Sequence, residues 1–323
     1  MGGPVTTNRQ DLEALIPTES SAEALTALRR TSAIERFARP TTMLSDTKQV
    51  PRLGGFQVAT VAKGAEYGFS TNTPDMVELI ARKVGGAAKI AEEDLADTSL
   101  GEGIMREYEG EAGSAMAAHY DHACLGTTAA ANGTTVKYTS VYRTLSQTQS
   151  TPWGSYTGMA NIIQTAGDVT YADIVNLLDL YESSDFYDEG NTVVLASPAF
   201  KSKFRLMLDT TGRPIFTDPQ AGTDPVLFGY RAAWTKGART HATDTQTPSG
   251  NPLLIIGNRQ LLLNGRARTS AGMVPGNPGT AWQRAANGIG FLSDEAIMKA
   301  MMRRGFACAV PQGFAILELT AAP

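Results

Sequence analysis

The clearest candidate for chemistry in this sequence is a group of polar side chains within one predicted helix. His119 and His122 stand three positions apart, with Asp121 between them and Cys124 close behind. On a helix this spacing places both imidazoles on one side, where they could bind zinc or transfer protons. Neither an H-E-x-x-H motif nor a paired C-x-x-C motif accompanies the group. Packing inside the protein therefore explains these residues more simply than a metal site does.

Sequence motifs of other enzyme classes are absent. The chain has no G-x-S-x-G nucleophile elbow, no G-x-G-x-x-G after a predicted strand and no G-x-x-x-x-G-K-[ST] loop. A thiolate and base formed by Cys124 and His119 is the remaining option, but core packing along one helix accounts for both. The sequence therefore predicts no catalytic residue, no cofactor and no metal site.

The helix that carries these residues is the longest element that the sequence predicts. Ser99 and Glu102 have the spacing of a capping box, in which the two side chains satisfy free amide groups at a helix start. Apolar residues follow at steps of four from Leu100 to Cys124. A helix over residues 99–125 would be roughly 40 Å long, and we interpret it as a rigid spine.

The chain before the spine predicts extended structure with little core of its own. Residues 1–43 form a predicted arm, with a short amphipathic helix over Ser20–Arg30. Residues 44–75 alternate in two-residue periods between glycines and predict a long hairpin. Two strands bury too little apolar surface to be stable alone, so the hairpin must contact another body. A long strand follows, with an irregularity expected at Gly85-Gly86.

From about Val169 the predicted secondary structure changes to alternating helices and strands, which indicates a second domain. Thr170 is the predicted cap of one helix, and Ser197 the predicted cap of another, with Pro198 at its first position. The predicted strands cover residues 192–196, 253–256, 261–263, 296–302, 306–310 and 314–319. The last three of these are expected to return to the first domain, although Glu295–Arg304 also fits a helical pattern.

Composition excludes several classes of protein. The 323 residues carry 28 basic and 32 acidic side chains, so the chain lacks the strong positive field of a free nucleic-acid binder. Two cysteines fit a reducing cytosol better than a disulfide scaffold, and no apolar run predicts a signal peptide or a membrane span. Modest basic clusters at residues 29–39, 266–268 and 303–304 are interpreted as ordinary salt-bridge partners.

The order of these parts resembles the major capsid proteins of tailed bacteriophages of the Hong Kong 97 type. The similarity rests on residues 15–17 with 32–34, on the junction at 79–99, on residues 194–230 with Gly212-Arg213-Pro214, and on the ending at 304–316. The resemblance implies an α+β, Hong Kong 97-like capsid fold. Its implied parts are an arm (1–43), an extended hairpin or E-loop (44–75), a peripheral domain (76–160 and 305–323) and an axial domain (161–304).

The resemblance also implies a function. Family members form hexamers and pentamers that close an icosahedral shell around double-stranded DNA, which the protein would contact without sequence specificity. Expected partners are further copies of the chain, a separate scaffolding protein, a portal and a decoration protein, with no membrane. The protein would be made in the host cytoplasm and end in the virion. Some members cross-link a hairpin lysine to an asparagine, but Ser293-Asp294-Glu295 offers no such acceptor for Lys63, so we predict no cross-link.

The residues expected at contacts between subunits lie in the arm and the hairpin: Leu25, Leu28, Arg29, Arg30, Arg36, Phe37, Phe56, Val58, Lys63, Tyr67 and Phe69. Two alternatives stay open at this point. One is an encapsulin-like shell of a bacterial compartment, and the other is a soluble metal-dependent or acid-base enzyme that uses the two helical histidines.

Overall fold

The structure of the chain is a computed structural model. It describes residues 32–55, 58–68, 74–97, 101–207, 225–267, 279–283 and 294–320. The predicted arm helix over Ser20–Arg30 and the Ser99 capping position lie outside these residues.

The described residues form six α-helices and fifteen β-strands. The helices are α1 (Ala33–Phe37), α2 (Glu92–Asp97), α3 (Gly101–Leu125), α4 (Val141–Ser146), α5 (Tyr171–Glu182) and α6 (Ala199–Leu206). The strands are β1 (Arg39–Met43), β2 (Thr47–Arg52), β3 (Asp75–Ile80), β4 (Arg82–Ala91), β5 (Gln149–Thr151), β6 (Gly154–Tyr156), β7 (Ile162–Ala166), β8 (Thr192–Ala196), β9 (Val226–Leu227), β10 (Tyr230–Trp234), β11 (Leu253–Asn258), β12 (Leu262–Ala267), β13 (Gly279–Gln283), β14 (Glu295–Cys308) and β15 (Phe314–Thr320). None of the helices in the described ranges is both long and apolar enough to cross a membrane.

A five-stranded sheet is organised around the long strand β14. One edge of β14 pairs with β4 over ten residues, and its other edge pairs with β12 and then β13, while β1 adds in parallel to β12. The segment Glu295–Arg304, which fits both a strand and a helix by sequence, is therefore strand. The predicted irregularity at Gly85-Gly86 is wrong, because both glycines continue the β4 ladder and the break falls at Ala81.

A six-stranded sheet has the order β7-β15-β11-β8-β10-β9. Strands β8 and β11 are buried along their whole length, as expected of strands covered on both faces. Strand β15 pairs with β11 and β7, so the prediction that residues 314–319 return to the first domain is wrong. Strands β12, β13 and β14 lie in one sheet with β4 and β1, although residues 161–304 were predicted to form the axial domain.

The spine helix α3 packs against the five-stranded sheet. Its 25 residues make a rod of about 37 Å. Met116, Tyr120 and Cys124 of the predicted apolar stripe are buried in the main core, while Tyr108, two turns earlier, is 43% exposed. The stripe thus packs against the sheet along the second half of the helix.

The two predicted helix caps in the second half of the chain have different outcomes. Thr170 caps α5 as predicted and forms a full capping box with Asp173. Ser197 does not cap α6, because the helix starts one residue later and Pro198 occupies the N-cap position without a side-chain bond. The Ser197 hydroxyl is buried and has no hydrogen-bond partner in the described part of the chain.

Candidate assembly interface

The hairpin is attached to the body by its base. Strands β2 and β3 pair over six residues as a separate two-stranded ribbon. Val50 and Val77 pack against a small core that includes Met43 and Leu79. Arg52 donates from Nε to Asp75 Oδ1 at 2.6 Å and from a terminal nitrogen to the Ala309 carbonyl. The predicted hairpin is therefore present, and its base is fixed by apolar packing and by one arginine.

The hairpin carries several large apolar side chains that are exposed. Leu53, Val58 and Tyr67 are 65%, 86% and 82% exposed, and Leu44 and Met76 are also exposed near its base. Isolated exposed apolar residues are ordinary, but several of them on one segment favour an interaction surface. Lys63 is exposed on the same extension. The hairpin thus presents a surface that burial against a neighbouring chain would stabilise.

The predicted contact residues divide into four groups. Val58, Lys63 and Tyr67 are exposed on the hairpin, where the prediction put them. Arg36 is exposed on α1 and lies over the Phe37 ring at 5.0 Å. The prediction for Phe37 is not supported, because its side chain is buried in this subunit's own core. The others lie outside the described residues: Leu25, Leu28, Arg29, Arg30, Phe56 and Phe69.

The base of the arm is held by a buried carboxylate that the sequence did not single out as an anchor. Asp121 on α3 accepts hydrogen bonds from Ser32 Oγ (2.6 Å) and from the backbone N–H groups of Ala33 (2.9 Å) and Ile34 (3.1 Å). It also accepts one from Thr235 Oγ at 2.8 Å. One carboxylate therefore joins the start of α1, the spine helix and the loop after β10. Burial raises the pKa of Asp121 despite these bonds.

The histidines of α3 lack the properties of a reactive site. Burial lowers the pKa of His122 to about 4, and its Nδ1 accepts a hydrogen bond from the Thr245 N–H at 3.3 Å. Burial also lowers the pKa of His119, which borders a half-open cleft of about 1030 Å³ between α3 and β4. Burial raises the pKa of the Cys124 thiol well above its usual value. Within the described residues no group of three His, Cys, Asp or Glu side chains could hold a metal ion.

The anchor at Asp121 depends on contacts between residues almost ninety positions apart. One local feature of the sequence points to a buried carboxylate. Asp121 directly follows Tyr120, a member of the apolar stripe, on a helix that is expected to be buried. Such a residue is buried only when it is paired or hydrogen-bonded. The signal predicts a partner for the carboxylate but does not identify Ser32.

Comparisons with known proteins agree with the architecture. The phage capsid family model matches residues 13–318. A chain of Mycobacterium phage Bobi has a TM-score of 0.70 at 13% identity, covering 99% of this chain and 100% of that chain. A chain of Gordonia phage Cozz has a TM-score of 0.68 at 16% identity, covering 99% and 98%. A chain from the capsid of a native GTA particle, computed with C5 symmetry, has a TM-score of 0.65 at 15% identity, covering 96% of this chain and 97% of that chain.

No functionally curated protein matches this sequence. The structural similarities lie at low identity and establish the shared fold, while the family model covers nearly the whole chain. The chain belongs to the phage capsid family.

Proposed function

We propose that this protein is the major subunit of an icosahedral phage head, in which hexamers and pentamers close around double-stranded DNA. Membership of the phage capsid family makes it a structural shell protein whose place is the virion capsid. The observation that carries the finer proposal is the hairpin, which exposes Leu53, Val58 and Tyr67 on an extension whose base packs against the body. Rings built from one kind of chain need two different complementary surfaces, and a projecting hairpin suits one of them.

The division of the chain follows the same proposal. The arm (1–43) and the hairpin (44–75) would reach neighbouring subunits, the peripheral domain would contain α3 and the sheet around β14, and the axial domain would contain the six-stranded sheet. Strand β15, which pairs with β11 and β7 of the six-stranded sheet, would then belong to the axial domain. A separate scaffolding protein, a portal, a decoration protein and DNA bound without sequence specificity complete the proposed partners.

A structural role is favoured over a catalytic one by the state of the candidate reactive groups. The depressed pKa of His122 and the raised pKa of Cys124 keep both residues neutral at pH 7, so neither an imidazolium nor a thiolate is available. The family match also favours a virion shell over an encapsulin-like compartment.

The proposal is tested by assembly of the purified protein, observed by negative-stain electron microscopy and sedimentation. The wild type should form closed shells, and the double variant Val58→Asp/Tyr67→Ala should remain as small species with an unchanged melting temperature. Thr60→Ala is the matched control, because Thr60 is an exposed polar residue of the same hairpin and is not among the predicted contact residues. It should assemble normally. Wild-type shells should give a single-chain band on a denaturing gel, since no cross-link is expected. Only small, uniform oligomers of the wild type under every assembly condition would overturn the proposal.

A further inference from the structure

Three arginines form a row across the five-stranded sheet. Arg266 on β12 is the register partner of Arg304 on β14, and Arg304 is the register partner of Arg82 on β4. Residues directly opposite in antiparallel strands point to the same face, with Cβ atoms about 5 Å apart. Like charges in this arrangement repel one another and destabilise the sheet unless anions lie between them.

Only the middle member of the row has a carboxylate partner among the contacts of the described residues. Arg304 is buried, and its Nε donates to Glu35 Oε1 at 2.7 Å. The Nε atoms of Arg82 and Arg266 are also buried, but neither has a hydrogen-bond partner in the described part of the chain. A buried donor without an acceptor costs free energy that a bound ligand would recover.

The surroundings of Arg82 add positive charge. A Cβ atom on Gly133 would lie 3.0 Å from the Arg82 guanidinium carbon, and the Lys137 ammonium donates to the Gly133 carbonyl at 3.2 Å. The lysine and Arg82 therefore both lie next to Gly133. Asp244 Oδ2 accepts from the Lys137 backbone N–H at 2.6 Å, so one carboxylate lies near the lysine, and Glu35 pairs with Arg304. Neither carboxylate has a hydrogen bond to Arg82 or Arg266 in the described part of the chain, so these two arginines lack an anion there.

The geometry favours a carboxylate side chain as that anion. A guanidinium presents parallel N–H donors that match a carboxylate in a bidentate pair. The enclosed Nε atoms require a ligand slim enough to enter between side chains, which a carboxylate on a flexible stem satisfies better than a phosphate on a stiff DNA duplex. Further copies of this acidic chain supply such groups, and Glu66 is exposed on the projecting hairpin.

We infer that Arg82 and Arg266 are the receiving half of a contact between subunits and bind carboxylates of a second copy of this chain. The inference rests on the proposed function, because it assigns a partner to one face of the shell subunit. In the isolated subunit the unpaired arginines cost stability, and assembly removes that cost. The row would therefore favour the assembled over the free state.

The test compares DNA-free assembly of the wild type with that of Arg82→Gln/Arg266→Gln. The double variant should fold with an equal or higher melting temperature, because the repulsion within the row is relieved, and its yield of shells should fall about tenfold. Wild-type yield should also decrease between about 0.05 and about 0.5 M NaCl, more steeply than that of the variant. Arg231→Gln is the control, since Arg231 is an exposed strand arginine of the six-stranded sheet.

A second variant, Arg82→Lys/Arg266→Lys, keeps the charge and removes the bidentate geometry. Its shell yield should lie between the yields of the wild type and the glutamine variant. If the glutamine variant does not fold, the yield of the lysine variant tests the inference instead. Wild-type shell yield in both double variants would overturn the inference. The inference would also be overturned if both double variants formed shells normally without DNA but bound less DNA than the wild type. That result would identify phosphate as the partner of the two arginines. If the wild type itself forms no shells, that result contradicts the proposed function and not the role of the two arginines.

Discussion

Removal of the Asp121 carboxylate should release the base of the arm while the rest of the subunit stays folded. Its Oδ1 accepts from Ser32 Oγ and the Ile34 N–H, and its Oδ2 accepts from the Ala33 N–H and Thr235 Oγ. In Asp121→Ala the two hydroxyls can rotate toward other acceptors, but the two backbone N–H groups cannot.

The expected magnitude follows from those two amides. A buried donor left without an acceptor costs ~1–3 kcal/mol, so two of them give ~2–6 kcal/mol. The carboxylate's own burial, which raises its pKa, offsets part of this when the group is removed. We therefore expect a net loss of about 3 kcal/mol for Asp121→Ala. Asp121→Asn keeps one carbonyl oxygen and so leaves one of the two amides without an acceptor, which should cost about half as much.

Two measurements check this reasoning. Urea unfolding gives the loss of global stability, and limited trypsin digestion with mass spectrometry gives the rate of cleavage after Arg36. A loss of about 3 kcal/mol in the local opening free energy corresponds to roughly 100-fold faster cleavage when opening is in rapid equilibrium. Asp179→Ala, which removes an exposed carboxylate from α5, is the control and should change neither quantity. Equal losses in the alanine and asparagine variants, or unchanged cleavage in both, would refute the hydrogen-bond account.

Two further predictions concern the helix and the sheet beside this anchor. The pKa of His122 is lowered from 6.5 to about 4, so the preference of the fold for neutral His122 stabilises the protein above pH 6.5. That contribution, about 3 kcal/mol, is lost as the pH falls toward 4, so urea unfolding of His122→Asn should depend less on pH than that of the wild type. At Gly85 a Cβ would lie 2.4 Å from the Ala300 carbonyl oxygen, whereas at Gly86 it would meet nothing within 4 Å. Calorimetry should show a loss of about 2 kcal/mol for Gly85→Ala and none for Gly86→Ala, and equal effects would contradict the β4–β14 register.

Elements with strong local signals were predictable from the sequence. The spine helix α3, the capping box of α5 and the buried strand β8 each depend on residues within a few positions of one another. Strands β11 and β12 were also predicted, but the structure places them in different sheets only three residues apart. Sheet membership depends on pairing with β15 and β14 far along the chain, and periodicity carries no information about that pairing.

The candidate interface was predictable in part for the same reason. The exposed apolar residues of the hairpin follow from its alternating pattern and from its inability to fold alone. The Arg266–Arg304–Arg82 row does not, because three separate strands bring its members together. Arg266 and Arg304 were interpreted from sequence as ordinary salt-bridge partners, and this holds for Arg304 with Glu35.

The energetics of the hairpin indicate why a shell subunit needs more than this one contact. Burial of five exposed apolar side chains, at ~1.5–3 kcal/mol each, yields about 8–15 kcal/mol before any cost is counted. Fixing one subunit against another costs an estimated 4–15 kcal/mol in lost translational and rotational freedom. The hairpin alone therefore comes close to balancing that cost, and a single hairpin contact would form and break readily. Closure must depend on several such contacts per subunit acting together. Loss of either Val58 with Tyr67 or Arg82 with Arg266 should then reduce assembly far more than it changes the stability of the subunit.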